Sequence, residues 1–193
     1  MVAIGTATAL LATSAEGGAV PPRAPDASLA VLVALLVARL DTADAVAAAK
    51  WSSARRDGVR PTIDDPAREA EVYDAMARLG GARALSESWL RQVFFGQIEA
   101  SKVVQRGLMM RWRFDPAQAP TRPPDLAAVR PMIDRVNIEI VDQLAARRTE
   151  LVAVDCRQRL ARSVFDAFAS GRVDPLHRAA LVRAVATLCP VRG

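Results

Sequence analysis

The sequence predicts an all-α protein, a single-domain bundle of about six helices, and three observations carry that prediction. Beyond Pro25 the apolar residues recur at helical spacing almost throughout, and no alternating run is long enough to make a strand. Capping residues stand where the periodic segments begin, at Asp65-Pro66, Ser86, Asp125 and Asp174-Pro175. With 193 residues, 51% of them apolar, the chain is long enough to bury a real core and too apolar for disorder.

A first helix is expected from about Ser28 to Arg55, capped by Asp26 or Ser28. A second opens at Asp65-Pro66 and lasts until Gly80-Gly81, and Ser86 caps a long third helix to about Phe114. The stretch from Asp115 to Pro124 contains Pro116, Pro120, Pro123 and Pro124 and reads as an extended connector. Asp125 then caps a fourth helix to about Leu151. Two shorter helices follow, near Arg157 to Ser170 and from Asp174-Pro175 to Leu188, and there are no internal repeats. The catalytic part would occupy about residues 28–150 of a domain spanning 26–193, with a C-terminal extension over about 151–193.

Residues 1–25 stand apart. Met1 to Ala15 are small or apolar and uncharged, and Glu16-Gly17-Gly18 through Pro21-Pro22 follows them. This reads as the remnant of a secretory signal and a flexible mature end, although no basic segment precedes it; an Ala-rich arm is the other reading. Cys156 and Cys189 either close one disulfide, as a periplasmic or secreted location would allow, or stand as two buried thiols.

The charge balance, 26 Lys+Arg against 21 Asp+Glu, gives +5 and points to an anionic partner. There is no Lys-rich run and aromatics are 5% of the chain, so nucleic acid ranks low; the arginines expected on outer faces, such as Arg147, Arg148, Arg157, Arg159 and Arg162, suit a solvated helix surface equally well. No stretch reaches the length of a membrane span. One His and two Cys supply no metal set, and a Ser/His/Asp triad would have to be built on His177 alone.

The signal lies in polar groups that occupy apolar faces. In the first helix Leu29, Leu32, Val33, Leu36 and Leu40 define the inner stripe, and Arg39 and Lys50 lean toward it. Eleven residues separate these two cations, about three turns or roughly 16 Å, so they can hold opposite ends of a small ring-shaped ligand. In the third helix Gln97, Ser101 and Gln105 interrupt the stripe of Leu90, Val93, Phe94, Val104, Leu108 and Trp112. Arg130 and Asn137 edge the fourth helix's stripe, and Arg68 and Glu69 flank Val72, Met76 and Leu79 in the second. Buried cations are costly unless paired, and the inward acids are few, chiefly Glu69. A bundle that binds a small di-anion is the reading these spacings give by themselves.

The segments Arg39-Leu40, Ala48-Ala49-Lys50-Trp51, Ile63-Asp64-Asp65-Pro66-Ala67-Arg68-Glu69, Gln97-Ile98-Glu99-Ala100-Ser101-Lys102 with Gln105, and Pro123-Pro124-Asp125-Leu126 to Arg130 resemble the all-helical chorismate mutases, in particular their secreted subclass. The resemblance covers about Ser28 to Cys189. It implies an isomerase that needs no cofactor or metal, a homodimer whose subunits each form a site, and a disulfide between Cys156 and Cys189. It also implies that Arg39, Arg68 and Arg130 grip the substrate's two carboxylates and that Lys50 and Gln105 bond its ether oxygen. Ser101 would sit beside the ring, and Glu69 is a weaker candidate for the ring hydroxyl. The stretch between Lys50 and Arg68 is longer than usual, leaving the end of the first helix open. The competing expectation is an exported helical binding protein that holds a small aromatic or dicarboxylate anion without turnover.

Overall fold

The computed structural model describes residues 27–190, with side chains from Leu29 onward; the leader reading and the Asp26 cap fall outside them. Helix α1 (Ala27–Asp57) has Ser28 within it, so Ser28 is not its cap. It ends on Gly58, whose φ of 66° is the left-handed conformation glycine adopts without a Cβ clash, and Val59 N–H bonds back to the Ala54 carbonyl at 2.9 Å. The longer segment that follows is therefore loop, from Gly58 to the start of α2 (Pro66–Gly81). There Asp65 accepts the Arg68 amide with Pro66 at the first helical position. Ser86 caps α3 (Glu87–Phe114) through the Trp89 amide, and Asp125 caps α4 (Leu126–Ala146) through that of Ala127.

Two expectations are corrected. The proline-rich connector is not wholly extended, because Asp115 accepts the Ala117 amide and nucleates a 3-10 turn over Pro116–Gln118. The fourth helix stops at Ala146; Arg147 leaves helical geometry at φ −109°, ψ 16°, and a short α5 (Arg148–Leu151) restarts in a direction that carries Leu151 to zero exposure. Helices α6 (Cys156–Ala169) and α7 (Pro175–Val185) complete seven α-helices among the described residues, one more than the sequence implied.

The core is the predicted stripes meeting one another. Leu29, Leu32, Leu36 and Leu40 of α1, Leu90 and Phe94 of α3, Ile140 and Leu144 of α4 and Leu181 of α7 are all at most 1% exposed. A smaller cluster, Ala47, Ala48, Trp51, Met109 and Trp112, packs the far end of α1 against α3, its two indoles 5.8 Å apart. The tail lies close on α3: a Cβ at Gly96 would run into Thr187, and one at Gly107 into Leu176. Cys156 and Cys189 form a disulfide, which joins the start of α6 to the chain just after α7. Next to it the Trp89 Nε1–H donates to the Leu188 carbonyl at 2.9 Å.

His177 builds no triad. Its Nδ1 lies 2.6 Å from Asp174 and its Nε2 lies 3.2 Å from Asp44, so a buried imidazole bridges α7 and α1 between two carboxylates. The Asp44 contact is the largest influence and, despite opposition from burial, pushes the His177 pKa up to about 9. This raised folded-state pKa makes a stabilising contribution that is complete below the ordinary 6.5 and lost as pH climbs through 9. Because both aspartates are about half exposed, solvent screening limits the effect to about 1–2 kcal/mol. Thermal unfolding followed between pH 6 and 9.5 should show Tm falling across that window, and His177→Gln should flatten the fall.

Candidate active site

Helices α1, α2, α3 and α4 enclose a cavity of about 140 Å³ between them. Arg39, Lys50, Arg68, Glu69, Ser101, Gln105 and Arg130 all line it, so the structure brings the seven residues singled out in the sequence into one place. The remaining wall is largely apolar, with Val46, Val72, Ile98, Leu126 and Ile133.

Arg39 sits deepest, 5% exposed. Its Nε donates to Asn137 Oδ1 at 2.8 Å, and its Nη1 to the Gln97 carbonyl at 2.9 Å and Ser101 Oγ at 2.7 Å. These contacts span α1, α3 and α4 and fix the guanidinium plane, while Nη2 makes no hydrogen bond to protein among the described residues. Burial pulls the Arg39 pKa down to about 10, outweighing a small upward effect of Tyr73, so the group remains a cation at neutral pH.

Lys50, three turns further along α1, donates to the Ile63 carbonyl at 2.5 Å and keeps two further N–H donors. Burial lowers its pKa below the ordinary 10.5, with Asp65, Asp64 and Glu69 pulling the other way. Gln105 is 6% exposed, and its amide has no protein partner among the described residues; Oε1 is buried and unpaired. A buried amide left without partners is costly unless a guest or water supplies them.

Arg68 and Arg130 differ from these. Arg68 is about one-third exposed and already bonded to Glu71 at 3.0 Å and Asp134 at 2.9 Å. Arg130 is exposed at the rim. Gln97 belongs to the core: at zero exposure its Nε2 donates to the Ala184 carbonyl of α7, so only its backbone serves the site, through Arg39.

Sequence reasoning passed over Lys102. It is 7% exposed, lines the cavity, and lies 2.9 Å from Glu69, 2.9 Å from Glu99 and 3.0 Å from Asp64. Its burial alone would lower its pKa, but the three carboxylates outweigh that and hold it above the ordinary lysine value. The signal was available: Ile98, Ser101, Lys102 and Gln105 follow the spacing i, i+3, i+4, i+7 that places all four on one helical face. The inward acids were also undercounted, since Asp65 joins Glu69 in the lining. Five cations against two carboxylates nonetheless leave the cavity positive.

The chain has well-matched relatives. The sequence model of the family described as chorismate mutase type II matches residues 30–106, which contain most of α1, all of α2 and most of α3. The secreted chorismate mutase of Mycolicibacterium smegmatis is 37% identical over 185 residues, covering 95% of this chain and 98% of that protein. That of Mycobacterium tuberculosis is 34% identical over 164 residues, covering 83% and 78%. The crystal structure of a chorismate mutase from Burkholderia thailandensis superposes with a TM-score of 0.77 at 34% identity, over 85% of this chain and all of that one. Likeness that runs through nearly the whole length of both partners takes in the helices that wall the cavity as well as the tail bound to them, and by it the chain belongs to the type II chorismate mutase family.

Proposed function

We propose that the chain rearranges chorismate to prephenate and does so outside the cytoplasm, as a periplasmic or secreted enzyme. The reaction is a Claisen shift: one C–O bond breaks as one C–C bond forms, with no net transfer of protons or electrons. Its demands are a compact substrate conformer and stabilisation of the negative charge growing on the ether oxygen. The observation that carries the reading is that an unpartnered Gln105 amide and a Lys50 ammonium with spare donors line the same cavity as a locked Arg39.

Arg39 offers its free Nη2 to a carboxylate with the guanidinium plane already fixed by Asn137, Gln97 and Ser101, and that rigidity removes ordering entropy from the binding step. Arg68 and Arg130 take the other carboxylate from the α2 and α4 sides, Arg68 by exchanging contacts with Glu71 and Asp134 for the substrate. Lys50 and Gln105 donate to the ether oxygen, where their bonds strengthen as charge develops. Ser101 lies beside the ring, held by Arg39. Glu69 is tied to Lys102 and acts on the ring hydroxyl only through what remains of its acceptor capacity. A homodimer in which each subunit forms its own site completes the reading.

Loss of the chorismate ultraviolet band on incubation with protein lacking the residues before about Pro25 tests the activity; binding without any loss would leave a binding protein instead. Because Gln105 donates in either half of the neutral range and has no proton to lose, kcat/KM is expected to be flat from about pH 5 to 8. On the alkaline side it should fall below the ordinary lysine value of 10.5, as Lys50 gives up its proton early. A steep loss as pH is raised from 5 to 8 would count against Gln105 as the donor.

A further inference from the structure

We propose that Lys102 is a positioning residue of this site: by joining Asp64, Glu69 and Glu99 it holds the loop that seats Lys50 and cancels carboxylate charge that would otherwise repel a di-anion. The inference rests on the chorismate mutase reading and adds to it a residue to which no role has been given above.

The contacts run in one direction. Lys102 is on α3, one residue past Ser101 and three before Gln105. Its ammonium, almost entirely covered, reaches Asp64 in the loop at 3.0 Å, Glu69 on α2 at 2.9 Å and Glu99 on its own helix at 2.9 Å. Asp64 follows Ile63, whose carbonyl is the protein acceptor of Lys50 Nζ. Glu69 in turn accepts the Asp65 amide at 3.3 Å. The loop between α1 and α2 is thus fastened at two adjacent residues, Asp64 directly and Asp65 through Glu69, immediately beside the carbonyl that aims Lys50. Arg106, 3.5 Å from Asp64 and half exposed, adds a weak second tie.

Charge makes the second half of the case. Glu69 lines the cavity and Asp64 and Glu99 stand next to it, a concentration of negative charge that is out of place around a site built for two carboxylates. Lys102 lines the same wall and is the ammonium that all three share. Without it the partly buried Glu69 would face the substrate uncompensated, with Glu99 behind it and the more solvent-screened Asp64 adding a weaker repulsion that salt can reach.

The test uses the full chain and two readouts, steady-state turnover of chorismate and the Kd for prephenate by titration calorimetry, since prephenate is not consumed. Lys102→Met is expected to lower kcat/KM by about 30-fold or more and to weaken prephenate binding about 10-fold, within the range of losses from leaving a charge cluster unpaired. Lys102→Arg should recover most of both. Asp64→Asn placed in the Lys102→Met chain should restore part of the binding by removing one repelling charge, and added salt should narrow the gap to wild type by screening it. A purely structural role would answer to neither. Should Lys102→Met fail to fold, Asp64→Ala, at an exposed residue, reads the tether alone: kcat should fall about 5-fold with the prephenate Kd unchanged. The proposal is overturned if Lys102→Met folds and keeps both constants within two-fold of wild type. It is equally overturned if its defect is indifferent to salt and to Asp64→Asn, or if Asp64→Ala leaves kcat unchanged. A wild-type chain that binds prephenate but does not convert chorismate would instead sink the activity, with the Lys102 effect still legible in Kd.

Discussion

Lys50→Ala should lower kcat/KM by roughly 100- to 1,000-fold, the usual scale for removing one donor to a developing oxyanion, while the helical circular dichroism stays at its wild-type level. The two halves of that expectation have separate causes. Lys50 is half-buried and its one protein hydrogen bond among the described residues is to the Ile63 carbonyl, so truncation releases one acceptor in a loop and opens no hole in the main core. The reacting oxygen, by contrast, would lose the only full positive charge aimed at it, and Gln105 cannot replace a charge with a dipole. Arg68→Ala should also remove most turnover with the fold intact, since its partners Glu71 and Asp134 are exposed enough to be solvated. Near-wild-type rates in both variants would refute the site assignment.

The second large effect is on stability. Cys156→Ser or Cys189→Ser opens a bridge of sequence separation 33, and the chain-entropy relation puts the loss at about 3.7 kcal/mol. For a chain of this size that corresponds to roughly 7–15 °C in Tm. The tail is held in other ways as well, by the Trp89 bond to the Leu188 carbonyl and by the close seating at Gly96 and Gly107, so the reduced form should unfold earlier without losing the native arrangement at 25 °C. Calorimetry with and without reductant measures it; identical Tm values would show that the bridge adds nothing.

Helices were legible in this sequence because their caps and stripes agree with each other, as at Asp65-Pro66 with Val72 and Met76. Their meeting points were less so. The Arg147 break leaves no cap signature; it is set by where Leu151 has to go, a demand of the assembled core and not of the local sequence. The cavity was readable from cations on apolar faces, since such placements are expensive and therefore informative. Lys102 escaped for the opposite reason: a lysine followed by two valines looks like the edge of an ordinary stripe until the acids of another helix and a loop are brought beside it. Gln97 was grouped with Ser101 and Gln105 by spacing alone. Its amide turns instead toward α7, a helix 87 residues away in sequence that no periodicity in α3 announces.

That same glutamine links the two ends of the molecule. Its side chain takes hold of the Ala184 carbonyl, while its main-chain oxygen receives Arg39 at the floor of the cavity. The tail is therefore a buttress and not an appendage that can be pruned. A shortened chain ending after α4 would keep every residue proposed to touch the substrate, yet would take away the Ala184 carbonyl that holds the Gln97 amide and open the covered face of α3 to water directly behind the guanidinium on which the pocket is built. Attempts to engineer a minimal catalyst from this scaffold would have to make the face of α3 that α7 covers polar before removing anything downstream.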